Sequence, residues 1–453
     1  MTDRNTHTEP DFGCSCCRRD FVTGMGMAMG AMMLTPFTSG AAEGTAAPAP
    51  RKQGAKVRAA FLYPPSKRFS DDPDGWWSWP GNEFEAEKRH RDYVAALREM
   101  EKKIGLTLAI DDQPVASDRD AQQLIADLEA AKPDGLLLMV FYNNSLPQVN
   151  LLLEAADKAG IPTILFIGLG VKHGAITSYR RMGVYFIQSL DNLSAIESGL
   201  RMIHAKRTMS QARLLSITEA DAVREGVEPF FGTTVRVIPF ARYAETFHKV
   251  ALGAEARQFI SRFTDGATEK RGLTQEAFEN AARAHLALTT MLREEQADGV
   301  AMNCLRRGML KPCISFSALN STLIPATCEN DLPAAYTQLL GQLLLGRPGF
   351  QHNPCYETEN NHHYASHCTC ATKLAGPDGP DYPFLLRRFA HTNEGSCAIQ
   401  VFWKPEEPVT MVRYHPGAEP ALDVYAGRVV KSHPMPPAAG CTTNVEIEIT
   451  DRE

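Results

Sequence analysis

The sequence predicts an α/β protein with two Rossmann-like α/β domains, followed by a C-terminal domain that contains an antiparallel β-sheet or barrel. Short apolar runs alternate with amphipathic stretches of helical period from residue 56 to about residue 300, as in parallel βαβ units. Beyond about residue 375 the pattern changes to period-two runs between Gly/Pro turns. The composition, with 44% hydrophobic and 22% charged residues, excludes disorder over most of the chain.

The first α/β unit is expected over residues 51–170. KVRAAFLYPP reads as a strand that ends in a proline-marked loop. The helices and strands that follow alternate in the order DYVAALREMEKKIG, LTLAI, DAQQLIADLEAA, DGLLLMVF, LPQVNLLLEAADKAG and IPTILFIGLG. No GxGxxG turn is present in this unit. Its absence counts against a dinucleotide ligand, because nothing else there supplies the phosphate cradle.

A second α/β unit is expected over residues 171–300, and the C-terminal domain over residues 301–453. In the second unit ARLLSI and TTVRVIPF read as strands, and QEAFENAARAHLALTTMLREEQA reads as a long helix. The C-terminal domain contains four period-two runs that are typical of antiparallel strands, namely CAIQVFWK, VTMVRY, LDVYAG and NVEIEIT.

Residues 1–50 are expected to be a twin-arginine export signal and linker. Arg18 and Arg19 precede a weakly apolar run rich in Gly, Ala and Met, and a stretch of small residues and prolines follows. The alternative is a disordered basic and apolar tail. We therefore expect a periplasmic or otherwise exported protein. No stable membrane span is expected after signal cleavage, because the apolar run is short and glycine-rich.

Charge and cysteine content limit the partners and the redox chemistry. The formal net charge is −6 and no polybasic tract is present, so we expect no nucleic-acid partner, and a small molecule or a neutral polymer as the ligand. Eight cysteines lie beyond residue 300. An even number in an exported protein permits disulfides, but the sequence does not choose their pairing.

The segment from residue 326 to residue 370 contains the residues that point to a chemistry. ATCEND leads into a helix, the helix ends at GRPGF, and a short strand then reaches SHCT. This order resembles the metal-binding core of the L-fucose/L-arabinose isomerase family, closely over residues 300–400 and more loosely over 56–453. The resemblance implies an L-fucose isomerase-like fold. It also implies aldose–ketose isomerisation of a monosaccharide through an enediol, with Mn²⁺ or another divalent cation as cofactor.

Carried over by residue, the resemblance implies that Glu329 is a metal ligand and the catalytic carboxylate, and that His367 is the histidine ligand. Asn353 occupies the position of the second carboxylate. An amide can ligate a cation through its oxygen but cannot accept the C2 proton, so altered or lost activity is expected. Glu329 has an alternative role as an acidic residue that stabilises the start of a helix. Glu357 and Glu359 could replace the missing carboxylate, or they could be solvated residues of a loop.

Four other histidines and a cysteine, in this segment and beyond it, are further candidates for ligand contacts. His352 is a predicted sugar contact, with an ordinary strand residue as the alternative. His362 and His363 are expected on the surface of a loop. His433 is the remaining candidate for the paired-histidine element of longer family members. Cys368 is expected to be a buried thiol rather than a metal ligand.

Three tryptophans, Trp76, Trp77 and Trp79, lie within four residues before a Pro-Gly pair. Flat indole rings match the apolar faces of pyranose rings, so this loop is a predicted sugar contact. The alternative is a hydrophobic plug between domains or subunits. In related isomerases a neighbouring subunit helps to close the site, so the resemblance implies a homo-oligomer.

Three hypotheses about function follow, because a fold does not determine an activity. The first is an exported, sugar isomerase-like enzyme. The second is a lyase or hydrolase on the same scaffold that uses Glu329 and a nearby histidine. The third is an exported carbohydrate-binding protein without catalytic activity.

Overall fold

The computed structural model describes most of the chain between residues 53 and 450. The described ranges are 53–67, 85–169, 171, 177–305, 307–389, 395–417, 419–438 and 440–450. The expected export segment lies outside the described residues, and so do Trp76, Trp77 and Trp79. The expectations for these two segments therefore stay predictions.

Five parallel strands form the first sheet, in the order β2-β1-β3-β4-β5. Their bounds are Lys56–Leu62 (β1), Thr107–Ile110 (β2), Gly135–Val140 (β3), Thr163–Gly168 (β4) and Val184–Ser189 (β5). Four α-helices accompany them, Ala86–Ile104 (α1), Asp118–Ala131 (α2), Leu146–Lys158 (α3) and Leu193–Gln211 (α4), with short 3₁₀ helices at Asn143–Ser145 and Thr177–Tyr179. Every residue of the central β3 is buried, as expected of a parallel strand covered on both faces.

Local sequence signals set the ends of these helices, and burial of their apolar faces holds the layer together. Ser117 caps α2, because its hydroxyl accepts a hydrogen bond from the amide of Asp120 at 3.3 Å. Gly105 ends α1 in the left-handed conformation at φ 81°. Apolar side chains of α1 and α4 pack on one face of the sheet, and those of α2 and α3 pack on the other.

The second sheet has the order β11-β10-β6-β8-β7. Its strands are Arg213–Thr218 (β6), Arg224–Val227 (β7), Thr234–Pro239 (β8), Gly299–Met302 (β10) and Ala326–Cys328 (β11). The helices of this part are Phe240–Lys249 (α5), Ala254–Gly266 (α6), Gln275–Glu294 (α7), Cys313–Ser321 (α8) and Leu332–Leu345 (α9), with a 3₁₀ helix at Gly308–Leu310. Only β7 runs antiparallel to its neighbour in this sheet.

The first two sheets extend beyond the expected domain boundaries at residues 170 and 300. β5 pairs with β4 along its whole length, so the first unit continues beyond residue 170. β10 begins at Gly299 and pairs with both β6 and β11, so the second unit continues beyond residue 300. The reason is that pairing between distant strands assigns a short strand to a sheet, whereas periodicity reports only local structure.

The C-terminal sheet is antiparallel throughout, in the order β12-β13-β18-β17-β16. Its strands are Asn353–Glu357 (β12), His362–His367 (β13), Pro408–His415 (β16), Ala421–Ser432 (β17) and Thr443–Ile449 (β18). A separate sheet contains Lys270–Arg271 (β9), Phe384–Arg388 (β14) and Cys397–Val401 (β15). Within the described residues β12 and β16 remain edge strands, so the sheet is open rather than a closed barrel. The α/β class is confirmed, with nine α-helices in the described ranges.

A disulfide joins Cys304 to Cys328, and the six other cysteines of the described ranges are free thiols. The two half-cystines lie just beyond β10 and at the end of β11, two neighbouring parallel strands, with their Cα atoms 5.9 Å apart. They are 24 positions apart in the chain. Cysteine counting could not select this pair, because only strand pairing brings the two thiols together.

Candidate ligand-binding site

The turn after β11 presents Glu329 at the carboxyl end of the second sheet. Glu329 and Asn330 both adopt left-handed backbone conformations, with φ 61° and 54°. A left-handed backbone conformation costs a residue other than glycine roughly 1–2 kcal/mol. The turn is held by the amide of Asn330, which donates to Met302 O at 3.1 Å, and by the Ser216 hydroxyl, which donates to Asn330 Oδ1 at 2.9 Å. Ligands of α/β proteins bind at this end of the strands.

Two buried amide side chains position the turn against the C-terminal sheet. Gln351 Oε1 accepts a hydrogen bond from the amide of Cys328 at 2.8 Å, and Gln351 Nε2 donates to Cys328 O at 3.1 Å. Asn320 on α8 accepts from the amide of Ala326 and donates to both Ala326 O and Thr369 O. These bonds satisfy buried backbone groups and join β11 to the segments that precede β12 and follow β13.

The structure brings Glu329, Asn353 and His367 together. Asn353 Nδ2 lies 3.4 Å and 3.3 Å from the two carboxylate oxygens of Glu329 and donates to them. His367 Nε2 lies 4.0 Å from Glu329 Oε1. The His367 side chain is fully buried and that of Glu329 is 32% exposed, so the cluster opens to solvent on the carboxylate side.

The hydrogen bonds of His367 determine which ring nitrogen has the proton. The backbone amide of Cys368 donates to His367 Nδ1 at 2.9 Å, so Nδ1 is an acceptor and the proton resides on Nε2. Burial and the neighbouring His352 lower the pKa of His367 to about 4, so the ring is neutral at pH 7. Nε2 is buried without a hydrogen-bond partner in the described residues. The site therefore contains an unsatisfied N–H donor that faces a carboxylate across a gap.

The donor set does not fit a resident divalent cation. For Nε2 to bind a metal, its proton would have to move to Nδ1, where it would face the amide N–H of Cys368. Asn353 presents its NH₂ group to Glu329, so its amide would also have to rotate. One carboxylate would remain as the charged oxygen ligand. Binding of Mn²⁺ or another divalent cation here stays a prediction that metal titration would test.

His352 and His363 form a hydrogen-bonded pair next to this cluster. His352 Nδ1 lies 3.1 Å from Phe350 O, and because a carbonyl only accepts, Nδ1 donates. His352 Nε2 then accepts from His363 Nε2 at 2.9 Å. Burial lowers the pKa of His352, and burial together with His352 lowers the pKa of His363 to about 4. Both nitrogens of His352 are hydrogen-bonded. Its expected contact with a sugar stays a prediction, and such a contact would be made by the ring carbons.

The expectation that His362 and His363 lie on a loop surface is wrong. Both belong to β13, where His363 faces inward and is buried, whereas His362 points to the opposite face. The period-two run HHYASH is the signal that could have located His363. Glu357 does not replace the missing carboxylate, because it pairs opposite His362 and its carboxylate accepts from the amides of Glu359 and Asn360.

A surface groove of about 840 Å³ lies between α2, α3 and α4 of the first unit. It is lined by Asp134 and Pro162, which directly precede β3 and β4, so it opens at the amino ends of the first sheet. Ligands of α/β sheets bind at the carboxyl ends of the strands. The cluster around Glu329 is therefore the better candidate.

No family model matches the chain, and no curated protein matches it. Among solved structures, it is similar to an ABC sugar transporter protein (periplasmic sugar binding protein) from Legionella pneumophila, with 16% identity, 64% of this chain and 94% of that chain covered, and a TM-score of 0.18. It is also similar to GanP, a glucose-galactose binding protein from Geobacillus stearothermophilus, with 13% identity, coverage of 66% and 94%, and a TM-score of 0.19. A sugar-binding protein of a Bacillus halodurans sugar ABC transporter shows 14% identity, coverage of 67% and 90%, and a TM-score of 0.16.

The expected membership in the L-fucose/L-arabinose isomerase family is therefore corrected, together with the expectation of a manganese-dependent isomerase. No isomerase family model or curated isomerase matches the chain, and the three structures are sugar-binding proteins rather than isomerases. TM-scores of 0.16 to 0.19 transfer no ligand to this chain. Its function is therefore argued from the geometry of its own site.

Proposed function

We propose that the chain is an exported carbohydrate-binding protein and that Glu329, Asn353 and His367 bind a hydroxyl-rich sugar. One observation supports the proposal above the others. The buried Nε2–H of His367 lacks a partner in the described residues and lies 4.0 Å from a carboxylate oxygen of Glu329. A buried donor without a partner costs about 1–3 kcal/mol, and a ligand that accepts from it recovers this free energy.

A sugar hydroxyl has the chemistry that this gap requires. A hydroxyl accepts and donates at the same time, so one oxygen can accept from His367 Nε2–H and donate to Glu329 Oε1. The second oxygen of the carboxylate can accept from a neighbouring hydroxyl of the same ring, and hydrogen bonds to a charged acceptor are the stronger ones. Asn353 adds an amide at the solvent-exposed side. A cation would meet the N–H of His367 and is disfavoured.

Export is part of the proposal and is supported by Arg18 and Arg19 ahead of a weakly apolar run. In the part of the chain that the structure describes, no helix combines the length and the apolar character needed to cross a bilayer. Replacing both arginines with lysine and fractionating the cells tests the route. We expect the substituted chain to remain in the cytoplasm, and undiminished export would contradict the twin-arginine assignment.

Sugar binding is tested by titrating a panel of monosaccharides and polyols into the purified chain in a calorimeter, in a buffer that contains EDTA. We expect at least one sugar to bind without added metal. Glu329→Gln should weaken that sugar about 10-fold to 100-fold, because it removes the charged acceptor. His367→Phe should weaken it by a similar factor, because it keeps an aromatic ring but removes the N–H donor.

The matched control is Glu357→Gln, which makes the same chemical change four residues along β12 from Asn353 and should leave sugar affinity unchanged. Two results would overturn the proposal. One is that no sugar of the panel binds, and the other is that Glu329→Gln and His367→Phe bind as tightly as the parent chain. Binding that EDTA abolishes would show that the argument from the His367 proton is wrong.

A further inference from the structure

We propose a second ligand site, a cation site for zinc or a similar transition metal, on the outer face of the C-terminal sheet. Glu357, His362 and Glu446 would supply the ligands, one atom from each. One nitrogen and two carboxylate oxygens from these residues all lie within 4.8 Å of one another. The site shares no residue with the proposed sugar site, although Asn353 and Glu357 both lie on β12.

Strand register explains why these three side chains meet. Glu357 on β12 and His362 on β13 are direct cross-strand partners. Glu446 on β18 is the partner of Tyr364, two residues beyond His362, so it lies diagonally across on the same face. His362 Nδ1 and Glu446 Oε1 are 2.7 Å apart. The arrangement is thus built by three hydrogen-bonded strands rather than by mobile loops.

The spacing and burial suit one cation. Ligand atoms 2.0–2.1 Å from a tetrahedral zinc lie about 3.3 Å from one another, so small side-chain movements would suffice. The side chains of His362 and Glu446 are only 18% and 12% exposed, which reduces competition from water. Two carboxylates and one imidazole offer two negative charges to a divalent ion. The imidazole favours first-row transition metals over Mg²⁺ or Ca²⁺, and the fourth position is left for water.

His433, which directly follows β17, supports this set as a positioning residue. Its Nε2 lies 2.7 Å from Glu446 Oε2, the carboxylate oxygen that His362 does not contact. Its backbone amide donates to Asn444 O at 2.9 Å, which anchors it to β18. A hydrogen bond to the outer oxygen of a ligating carboxylate orients that ligand, and such partners are worth roughly 10-fold to 100-fold in metal affinity.

The test is calorimetric titration of Zn²⁺ into the full chain after removal of bound metal by a chelator. We expect one equivalent to bind to the parent chain. His362→Gln and Glu446→Gln each remove a ligand and should weaken zinc affinity by at least roughly 100-fold. His433→Gln removes only a residue that orients a ligand, so it should weaken zinc affinity by less. Loading with Co²⁺ distinguishes the roles, because His362→Gln should change the visible absorption spectrum whereas His433→Gln should leave it unchanged.

The control is His415→Gln, because His415 pairs with Asp423 at 2.7 Å on the same sheet, and the two belong to no cluster of three possible ligands among the residues that the structure describes. It should leave zinc affinity unchanged. The proposal is overturned if the parent chain binds no zinc, or if His362→Gln and Glu446→Gln bind zinc as tightly as the parent chain does. In either case the three residues form only an ion-pair network. Circular dichroism checks folding, and His362→Gln decides the question if Glu446→Gln is misfolded. Sugar affinity measured on the same variants keeps a failure here separate from a failure of the sugar site.

Discussion

The two faces of β13 use the same residue type in opposite ways. On the inner face, His363 and His367 are buried, and burial holds the pKa of each at about 4. On the outer face, His362 lies 2.7 Å from Glu446 and is partly open to solvent. Alternation of side chains along a strand separates these histidines within six residues.

The comparison shows that surroundings, rather than residue type, decide what a histidine can bind. On the inner face His367 is neutral and offers an N–H, which suits a hydroxyl or another acceptor. On the outer face two carboxylates, Glu357 and Glu446, accompany His362, and this combination suits a cation. Four predictions test this difference in surroundings between the two faces.

Acidification should destabilise the fold through the inner face. The folded-state pKa of His363 and His367 is about 4, below the value of about 6.5 in the unfolded chain. The unfolded state therefore binds more protons between pH 6.5 and 4, so stability is fully present above pH 6.5 and is lost as the pH falls toward 4. Each histidine contributes up to about 3 kcal/mol to this loss.

Urea unfolding at pH 7.5, 6 and 5 measures the effect. His367→Gln should reduce the pH dependence, because glutamine does not titrate in this range. Equal slopes in the parent chain and His367→Gln would contradict the buried, neutral assignment.

Gln351→Leu should destabilise the fold by about 1–3 kcal/mol, because it leaves the buried amide of Cys328 without its acceptor, whereas the carbonyl of Cys328 still accepts from the amide of Asp331. It should also weaken sugar binding, since Gln351 positions the turn that contains Glu329. Zinc binding on the outer face should be retained. Chemical denaturation and the two titrations measure these effects, and simultaneous loss of both ligands in a folded protein would show that the two faces are not independent.

Asn353→Asp should cost about 1 kcal/mol, because it places a second carboxylate 3.3–3.4 Å from that of Glu329 where an amide donor now lies. The added negative charge also favours binding of a cation, so a divalent metal ion should stabilise the variant more than the parent chain. Thermal unfolding with and without Mn²⁺ measures both effects. Equal stabilisation of the two proteins would contradict the prediction.

The smallest effect is expected for His415→Ala, which removes an exposed pair with Asp423 on the same sheet. Both side chains are at least 40% exposed, so the free energy of unfolding should change by less than about 1 kcal/mol. Urea unfolding at pH 7.5 measures this change. A larger loss would mean that exposed pairs on this sheet contribute to its stability as much as the buried histidines do.

Much of the fold could be predicted from local patterns. Helical and period-two stretches identified the α/β part and the antiparallel C-terminal sheet, because periodicity reflects which face of an element is buried. The motif around Glu329, Asn353 and His367 also pointed to residues that the structure places together. The isomerase family inferred from them was wrong, and metal binding by these residues stays a prediction, since the residue types alone do not show which nitrogen of His367 has a proton.

Tertiary structure alone decided the remaining features. The domain limits, the Cys304–Cys328 disulfide and the contact between His362 and Glu446 depend on pairing between segments that are distant in sequence. The proton on His367 Nε2 depends on the backbone amide of Cys368 and on burial. Local sequence sets the periodicity of each element, whereas strand register and burial set which side chains meet and which polar atoms lack partners.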